Sequence, residues 1–96
     1  MSPAGPRRAV RWLVSGRVQA VGFRHFTRLE AERLGVAGTV ANLPDGRVEI
    51  VAAADATSLA ALELRLREGP PAGRVERLDE EPIADAGWTG FRVVFR

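Results

Sequence analysis

Residues 16–24, with the letters GRVQAVGFR, combine small or uncharged side chains with two arginines. Consecutive backbone N–H groups in such a loop can converge on a bound anion. The helix that is predicted to follow adds free N–H donors and the positive end of its dipole. Arg24 falls in the first helical turn, where a cation is unfavourable unless it holds an anion there. Its planar fork can contact two phosphate oxygens at once, so the pattern indicates an oxyanion site, with a solvated surface arginine as the alternative.

Hydrophobic periodicity predicts the elements that would hold this loop. Alternating apolar residues indicate strands, and the leucines of residues 59–66 form the stripe of an amphipathic helix. We expect Gly16 to break the first strand and Gly35 to end the first helix. Thr57 or Ser58 is expected to cap the second helix. The predicted elements are a strand at 8–15, a helix at 24–34, strands at 36–43 and 47–52, a helix ending at 68, and strands at 74–80 and 91–96.

The order of these elements is βαββαβ with one further strand, which predicts an α+β, ferredoxin-like sandwich. We expect a mainly antiparallel sheet with two helices on one face, formed by residues 8–96 after a flexible tail at 1–7. A right-handed crossover makes the first two strands parallel, and the hairpin then places the third strand between them. The loop at 16–22 should therefore meet Asn42, at the end of the second strand, at one edge of the sheet.

Composition narrows the chemistry that is open to this chain of 96 residues. It contains no cysteine, which excludes disulfides, zinc–thiolate sites and thiol nucleophiles. All 14 basic residues are arginines, but 12 acidic residues are mixed among them and the net charge is only +2. This balance argues against a nucleic-acid-binding surface. The chain has no apolar stretch long enough to span a membrane and no apolar core of an export signal near its start, so we expect a cytoplasmic protein.

We expect structural roles for two other polar residues, His25 and Asp45. His25, the only histidine, follows Arg24 on the predicted helix and should point away from the loop. Asp45 belongs to the Pro-Asp-Gly turn, where aspartate is favoured for its local hydrogen bonds. Neither residue is therefore expected to act as an acid or base.

Two motifs of the chain resemble the signatures of the acylphosphatase family. Residues 16–24 are similar to its G-R-V-Q-G-V-x-F-R pattern, and residues 38–46, GTVANLPDG, are similar to its G-x-V-x-N-x-x-D-G pattern. The resemblance extends over residues 8–96 and includes the closing Phe-Arg-Val at 91–93. It implies an acylphosphatase-like α/β sandwich, which agrees with the element order.

The resemblance also implies an activity, the hydrolysis of an acyl phosphate to a carboxylate and inorganic phosphate. It implies that Arg24 binds the phosphoryl group and that Asn42 positions the attacking water. It implies no metal, no cofactor and no covalent protein nucleophile. The backbone that would cradle the phosphate oxygens belongs to Gly16, Arg17, Val18, Gln19, Ala20 and Val21.

Ala20 departs from the family pattern, which usually has glycine at this position. An alanine with a positive φ would be strained by about 1 kcal/mol. We therefore expect a negative φ at Ala20, since a strained phosphate cradle would be unusual in an enzyme.

Two other functions fit the same fold. RNA-recognition domains share the βαββαβ order but need stacking aromatics on the central strands, and the predicted third strand at 47–52 has none. A non-catalytic anion-binding domain would keep the loop and lose turnover, with Ala20 as the candidate cause. We expect a monomeric enzyme whose partners are a small-molecule acyl phosphate and the inorganic phosphate product, with no nucleic acid and no membrane.

Overall fold

The computed structural model describes residues 5–96, which form two helices and a five-stranded sheet. This confirms the α+β class and the order of elements. The helices have 12 and 13 residues, and neither is long and apolar enough to cross a membrane. The elements are β1 (Arg8–Arg17), α1 (Phe23–Leu34), β2 (Ala37–Asn42), β3 (Val48–Ala54), α2 (Ala56–Glu68), β4 (Arg74–Ile83) and β5 (Phe91–Val93).

The strand order is β4-β1-β3-β2-β5, so β3 lies between β1 and β2 as the crossover argument predicts. Neighbouring strands are antiparallel except β2 and β5, which are parallel. Because β1 and β2 both run antiparallel to β3, their C-terminal ends lie at the same edge of the sheet. The loop after β1 and the end of β2 are therefore brought together by the topology.

Both helices pack on one face of the sheet, and the core lies between the two layers. Even-numbered residues of β1 and β3 face the helices, since alternate residues of a strand share a side. The leucine stripe of α2 is buried, as its periodicity predicts. The largest fully buried side chains are those of Trp12, Phe23, Ile50, Leu62 and Leu66.

The sequence predicts that β1 ends at Ser15 because Gly16 breaks it, but the strand continues to Arg17. A β-bulge shifts its register against β4 between Ser15 and Gly16. Gly16 has a φ of 126°, and a Cβ atom there would collide with the carbonyl oxygen of Arg74. The bulge also lets Val75 and Leu78 both pack against the core, which explains why their spacing breaks the alternation of β4.

The second helix is capped by Asp55, so the prediction of Thr57 or Ser58 as the cap is wrong. The Asp55 Oδ1 atom accepts a hydrogen bond of 2.8 Å from the backbone N–H of Ser58. Aspartate satisfies an otherwise unpaired N–H of the first turn in this way and also complements the helix dipole. The last strand, β5, also differs from the prediction, because it ends at Val93 and does not reach residue 96.

The predicted tail at 1–7 lies partly outside the described residues, which begin at residue 5. Within it, Arg7 donates hydrogen bonds to the Asp85 carboxylate and to the carbonyl oxygen of Trp88, both at 2.6 Å. The tail and the domain limit at residue 8 stay predictions.

Candidate active site

The loop between β1 and α1 turns sharply at Ala20 and Gly22, whose φ angles are 58° and 79°. The expectation of a negative φ at Ala20 is therefore wrong. Among residues 5–96, Ala20 is the only non-glycine residue with a positive φ. Val18 and Phe23 are both buried in the core, so the short segment between them must leave the core and return to it. Residues in the left-handed conformation allow such a tight turn. Left-handed residues can also turn successive N–H groups toward a common point, as in an anion-binding nest.

Helix α1 begins at Phe23, one residue earlier than predicted, and has no side-chain cap. The N-cap residue is Gly22, and the first turn contains no acidic residue. Intrahelical bonding begins with the N–H of Phe26, which donates to the carbonyl oxygen of Gly22 at 2.9 Å. The N–H groups that precede it have no intrahelical acceptor, and with the helix dipole they favour an anion at this end.

Arg24 is half-buried on the first turn of α1. Its Cζ atom lies 5.4 Å from the centre of the Phe95 ring. None of the ion pairs formed by residues 5–96 involves Arg24, so no protein carboxylate neutralises its charge within this described part of the chain. A pocket of about 230 Å³ opens beside it, lined by Val18, Ala20, Gly22, Phe23, Arg24, His25, Val93 and Phe95.

Asn42 is the last residue of β2 and pairs with Val48 of β3. Its Oδ1 atom is buried and has no hydrogen-bond partner. Every other buried side-chain oxygen or nitrogen among residues 5–96 has such a partner. An unpaired buried acceptor costs roughly 1–3 kcal/mol, so it requires an explanation. The end of β2 therefore presents an oxygen that is ready to accept a hydrogen bond from a water molecule or substrate.

Gln19 joins the loop to the hairpin that follows Asn42. Its Nε2 atom donates to the carbonyl oxygens of Leu43 and Arg47, at 2.8 and 3.0 Å. Leu43 directly follows Asn42, so these bonds confirm that the loop and the end of β2 are neighbours in space. Asn42 itself is not part of the lining of the Arg24 pocket.

A family model described as acylphosphatase matches residues 10–93. The chain belongs to the acylphosphatase family. An acylphosphatase of Rubrobacter xylanophilus is 52% identical over 94 residues, which cover 97% of this chain and 86% of that protein. The solved acylphosphatase of Coxiella burnetii has a TM-score of 0.89 at 36% identity and covers 98% of this chain and 99% of its own. That of Bacillus subtilis has a TM-score of 0.87 at 36% identity, over 90% of this chain and 97% of its own.

The comparisons confirm the acylphosphatase-like fold and the activity expected from the sequence. The chain is a hydrolase that splits the carboxyl–phosphate bond of a small acyl phosphate. The motif residues that carried the resemblance, Arg24 and Asn42 among them, lie within the matched range.

Asp45, which lies in the turn after Asn42, and His25, which follows Arg24, each have a side-chain partner. The Asp45 carboxylate accepts hydrogen bonds from the backbone N–H and the Nε atom of Arg47, at 3.0 and 2.8 Å. These bonds, the backbone one first, hold the pKa of Asp45 below its usual value, so the group stays an anionic turn former. His25 is exposed and lies 3.5 Å from Arg28, but it also lines the pocket beside Arg24, contrary to the expectation that it points away from the loop. Residues 5–96 contain no cluster of three or more metal-ligating side chains, and the metal-free chemistry stays a prediction.

A larger cavity of about 590 Å³ lies at the opposite end of the sheet, between the start of β1, α2 and the end of β4. Four of the five charged side chains that line it have a partner, Glu63 pairing with Arg67 of the same helix. Arg7 binds Asp85, and Glu80 accepts a hydrogen bond of 2.7 Å from the Trp12 indole N–H. The motif residues of the acylphosphatase lie at the other end of β1, so the smaller pocket is the candidate active site.

Sequence reasoning missed Phe95 and Val93 as walls of this pocket. The alternation of Phe91, Val93 and Phe95 indicates one buried strand face, and Phe91 is indeed buried, but Phe95 is 83% exposed. The pairing of β5 with β2 ends at Val93, which leaves the Phe95 ring free to lie over Arg24. No sequence signal indicates this position, because it depends on the parallel pairing of β5 with β2, which directs residues 94–96 toward the edge that holds the loop.

Proposed function

We propose that this chain hydrolyses acyl phosphates in the pocket beside Arg24, with a distinct role for each part of the site. The backbone N–H groups of residues 16–21 and the start of α1 bind the phosphoryl oxygens. Arg24 neutralises the charge on those oxygens, and Asn42 holds the attacking water.

The first requirement of phosphoryl transfer is that the charge on the phosphoryl oxygens is stabilised as the reaction proceeds. The unpaired guanidinium of Arg24 can form two parallel charge-assisted hydrogen bonds to these oxygens. The loop supplies further donors that the fold has already oriented, because Val18 and Phe23 anchor both of its ends in the core. Donors that are oriented beforehand need no reorganisation during the reaction.

The observation that carries the proposal is the buried, unpartnered Oδ1 atom of Asn42. An asparagine oxygen accepts a hydrogen bond from water and thereby orients the water lone pair toward phosphorus. Orientation of this kind contributes up to roughly 7–11 kcal/mol in the best intramolecular reactions. A neutral amide is too weak a base to remove the proton, so its role is to position the water.

The bond changes need no protein nucleophile. The water oxygen forms a bond to phosphorus, and the bond from phosphorus to the acyl oxygen breaks with its electron pair staying on the carboxylate. A carboxylate is a stable leaving group at neutral pH, so no general acid is needed. The proton that the water loses passes to a phosphoryl oxygen, which becomes part of the inorganic phosphate product.

The remaining predictions concern partners and location. We infer that the protein does not bind RNA, since β3 has the sequence VEIVAAA and offers no aromatic ring for base stacking. The monomeric state and the cytoplasmic location stay predictions.

Titration of the ¹⁵N-labelled protein with inorganic phosphate tests the proposed binding site. We expect the amide shifts of residues 16–21 and Arg24 to move and saturate, while those of Ala56 and Ala60 beside the larger cavity stay fixed. Phosphate should also inhibit hydrolysis of benzoyl phosphate competitively. If saturating phosphate moves the amides of Ala56 and Ala60 and leaves residues 16–21 unchanged, the proposed site is wrong.

A further inference from the structure

We infer that Gln19 is a positioning residue for Asn42: its side-chain amide fixes the β2–β3 hairpin against the phosphate loop and thereby sets where the attacking water lies. The inference rests on the roles proposed above for Asn42 and the loop. It assigns to the Gln19 side chain a role that is separate from the role of its backbone in the cradle.

Both hydrogen atoms of the Gln19 Nε2 group are used. One bond goes to the carbonyl oxygen of Leu43 at 2.8 Å and the other to that of Arg47 at 3.0 Å. Arg47 O also accepts the backbone N–H of Leu43 at 2.8 Å, so the amide binds the pair of residues that closes the hairpin. Because the amide is planar, two bonds from a single nitrogen restrict both the distance and the orientation of the hairpin.

The position of Gln19 makes this contact relevant to the reaction. Its backbone belongs to the loop that would hold the phosphoryl group, and its side chain holds the residue next to Asn42. One residue therefore connects the part of the site that binds phosphorus with the part that places the nucleophile. A displacement of about 1 Å between reacting groups can cost on the order of 10²-fold in rate.

The variant Gln19→Met tests this inference, because it keeps the length of the side chain and removes the donor. We expect kcat for benzoyl phosphate to fall about tenfold, while the inhibition constant of inorganic phosphate stays within about twofold. Gln19→Glu, which places a carboxylate against two carbonyl oxygens, should reduce kcat at least as much. Wild-type kcat in either folded variant would overturn the inference.

A matched control separates positioning from the general stability of the hairpin. Asp45→Ala removes hydrogen bonds to Arg47 within the same hairpin and leaves the contacts of Gln19 intact. We expect it to lower the unfolding midpoint with little change in kcat. If Asp45→Ala lowers kcat as much as Gln19→Met does, loosening of the hairpin explains the loss and the inference is overturned.

A double-mutant cycle with Asn42→Ala distinguishes this inference from the proposed function. If Gln19 acts through Asn42, then Gln19→Met should change kcat less than about twofold in the Asn42→Ala background. A full tenfold further loss would show that Gln19 acts independently of Asn42 and would overturn the inference alone. Unchanged kcat in the Asn42→Ala single variant would instead overturn the proposed role of Asn42.

Discussion

The guanidinium of Arg24 lies over the ring of Phe95, with 5.4 Å between its Cζ atom and the ring centre. The first turn of α1 and the residues after β5 thus meet at the pocket of the candidate active site. A cation over an aromatic face is stabilised by about 0.5–1 kcal/mol at an exposed site. The contact orients the guanidinium without neutralising it, so its N–H donors keep their affinity for an anion.

Replacement of Phe95 by alanine should weaken the binding of both substrate and phosphate. We expect the KM for benzoyl phosphate and the inhibition constant of phosphate to rise together, about two- to fivefold, with a smaller change in kcat. The unfolding midpoint should change little, since the ring is 83% exposed. Phe95→Trp keeps an aromatic face and serves as the control. An unchanged inhibition constant in Phe95→Ala would show that the ring does not orient Arg24.

Replacement of Arg24 by alanine should affect binding and catalysis together, because the guanidinium is proposed to contact the phosphoryl group before and during the reaction. We expect a higher KM and a lower kcat, with kcat/KM reduced by on the order of 10²-fold or more. Arg92→Ala removes the same charge from an exposed position on β5 and should leave both constants near those of the wild type. Equal losses in the two variants would indicate a general effect of net charge.

Ala20→Gly should stabilise the protein, because the positive φ of 58° strains alanine and suits glycine. Relief of about 1–2 kcal/mol of strain exceeds the roughly 0.4–1 kcal/mol that glycine costs through unfolded-state entropy. The unfolding midpoint should therefore rise, by up to about 4–8 °C in a domain of this size. We also expect kcat/KM to rise a few fold as the loop relaxes. Ala72→Gly is the control, since Ala72 is exposed and has no positive φ, and should lower stability by about 0.4–1 kcal/mol. Thermal unfolding without phosphate tests whether Ala20 is strained. A lower unfolding midpoint for Ala20→Gly than for the wild type would contradict the proposed strain.

Much of the architecture could be predicted because it depends on local patterns and on topology. The leucine stripe at 59–66 and the alternation in β1 indicated their elements correctly. The right-handed crossover correctly brought the loop after β1 to the strand end that carries Asn42, where Gln19 donates a hydrogen bond to the carbonyl oxygen of Leu43.

The features that could not be predicted depend on tertiary contacts. The bulge between Ser15 and Gly16 brings the backbone of Arg74 too close to Gly16 for a side chain there. The φ of Ala20 follows from the anchoring of the loop ends in the core, and the position of Phe95 follows from the end of strand pairing at Val93. No sequence pattern near these residues reports those contacts.

Glu49 should make the stability of the fold depend on pH. Its side chain is only 10% exposed, and its carboxylate accepts hydrogen bonds of 2.6 Å from Arg11 and Arg96. Burial alone would raise the pKa of Glu49, but the two arginines outweigh it and hold the pKa below its ordinary value of 4.5. Because the folded pKa is the lower one, this stabilisation is present above about pH 4.5 and is lost as the pH falls through the folded pKa.

The variant Glu49→Gln lacks this titration. We expect its free energy of unfolding to fall less between pH 6 and pH 3 than that of the wild type, in urea titrations at each pH. Arg96→Met removes one of the two donors and should reduce the pH dependence in the same direction by a smaller amount. An unchanged pH dependence in Glu49→Gln would show that other carboxylates govern acid unfolding.

The kinetics of Asn42→Ala test the division of roles in the site most directly. The substitution removes the oxygen proposed to hold water and leaves the loop and Arg24 in place. Hydrolysis of benzoyl phosphate should show a kcat lower by on the order of 10²-fold or more, with the inhibition constant of phosphate within about twofold of the wild type. The unfolding midpoint should not fall, since the Oδ1 atom has no partner to lose. A kcat close to that of the wild type would contradict the water-positioning role of Asn42.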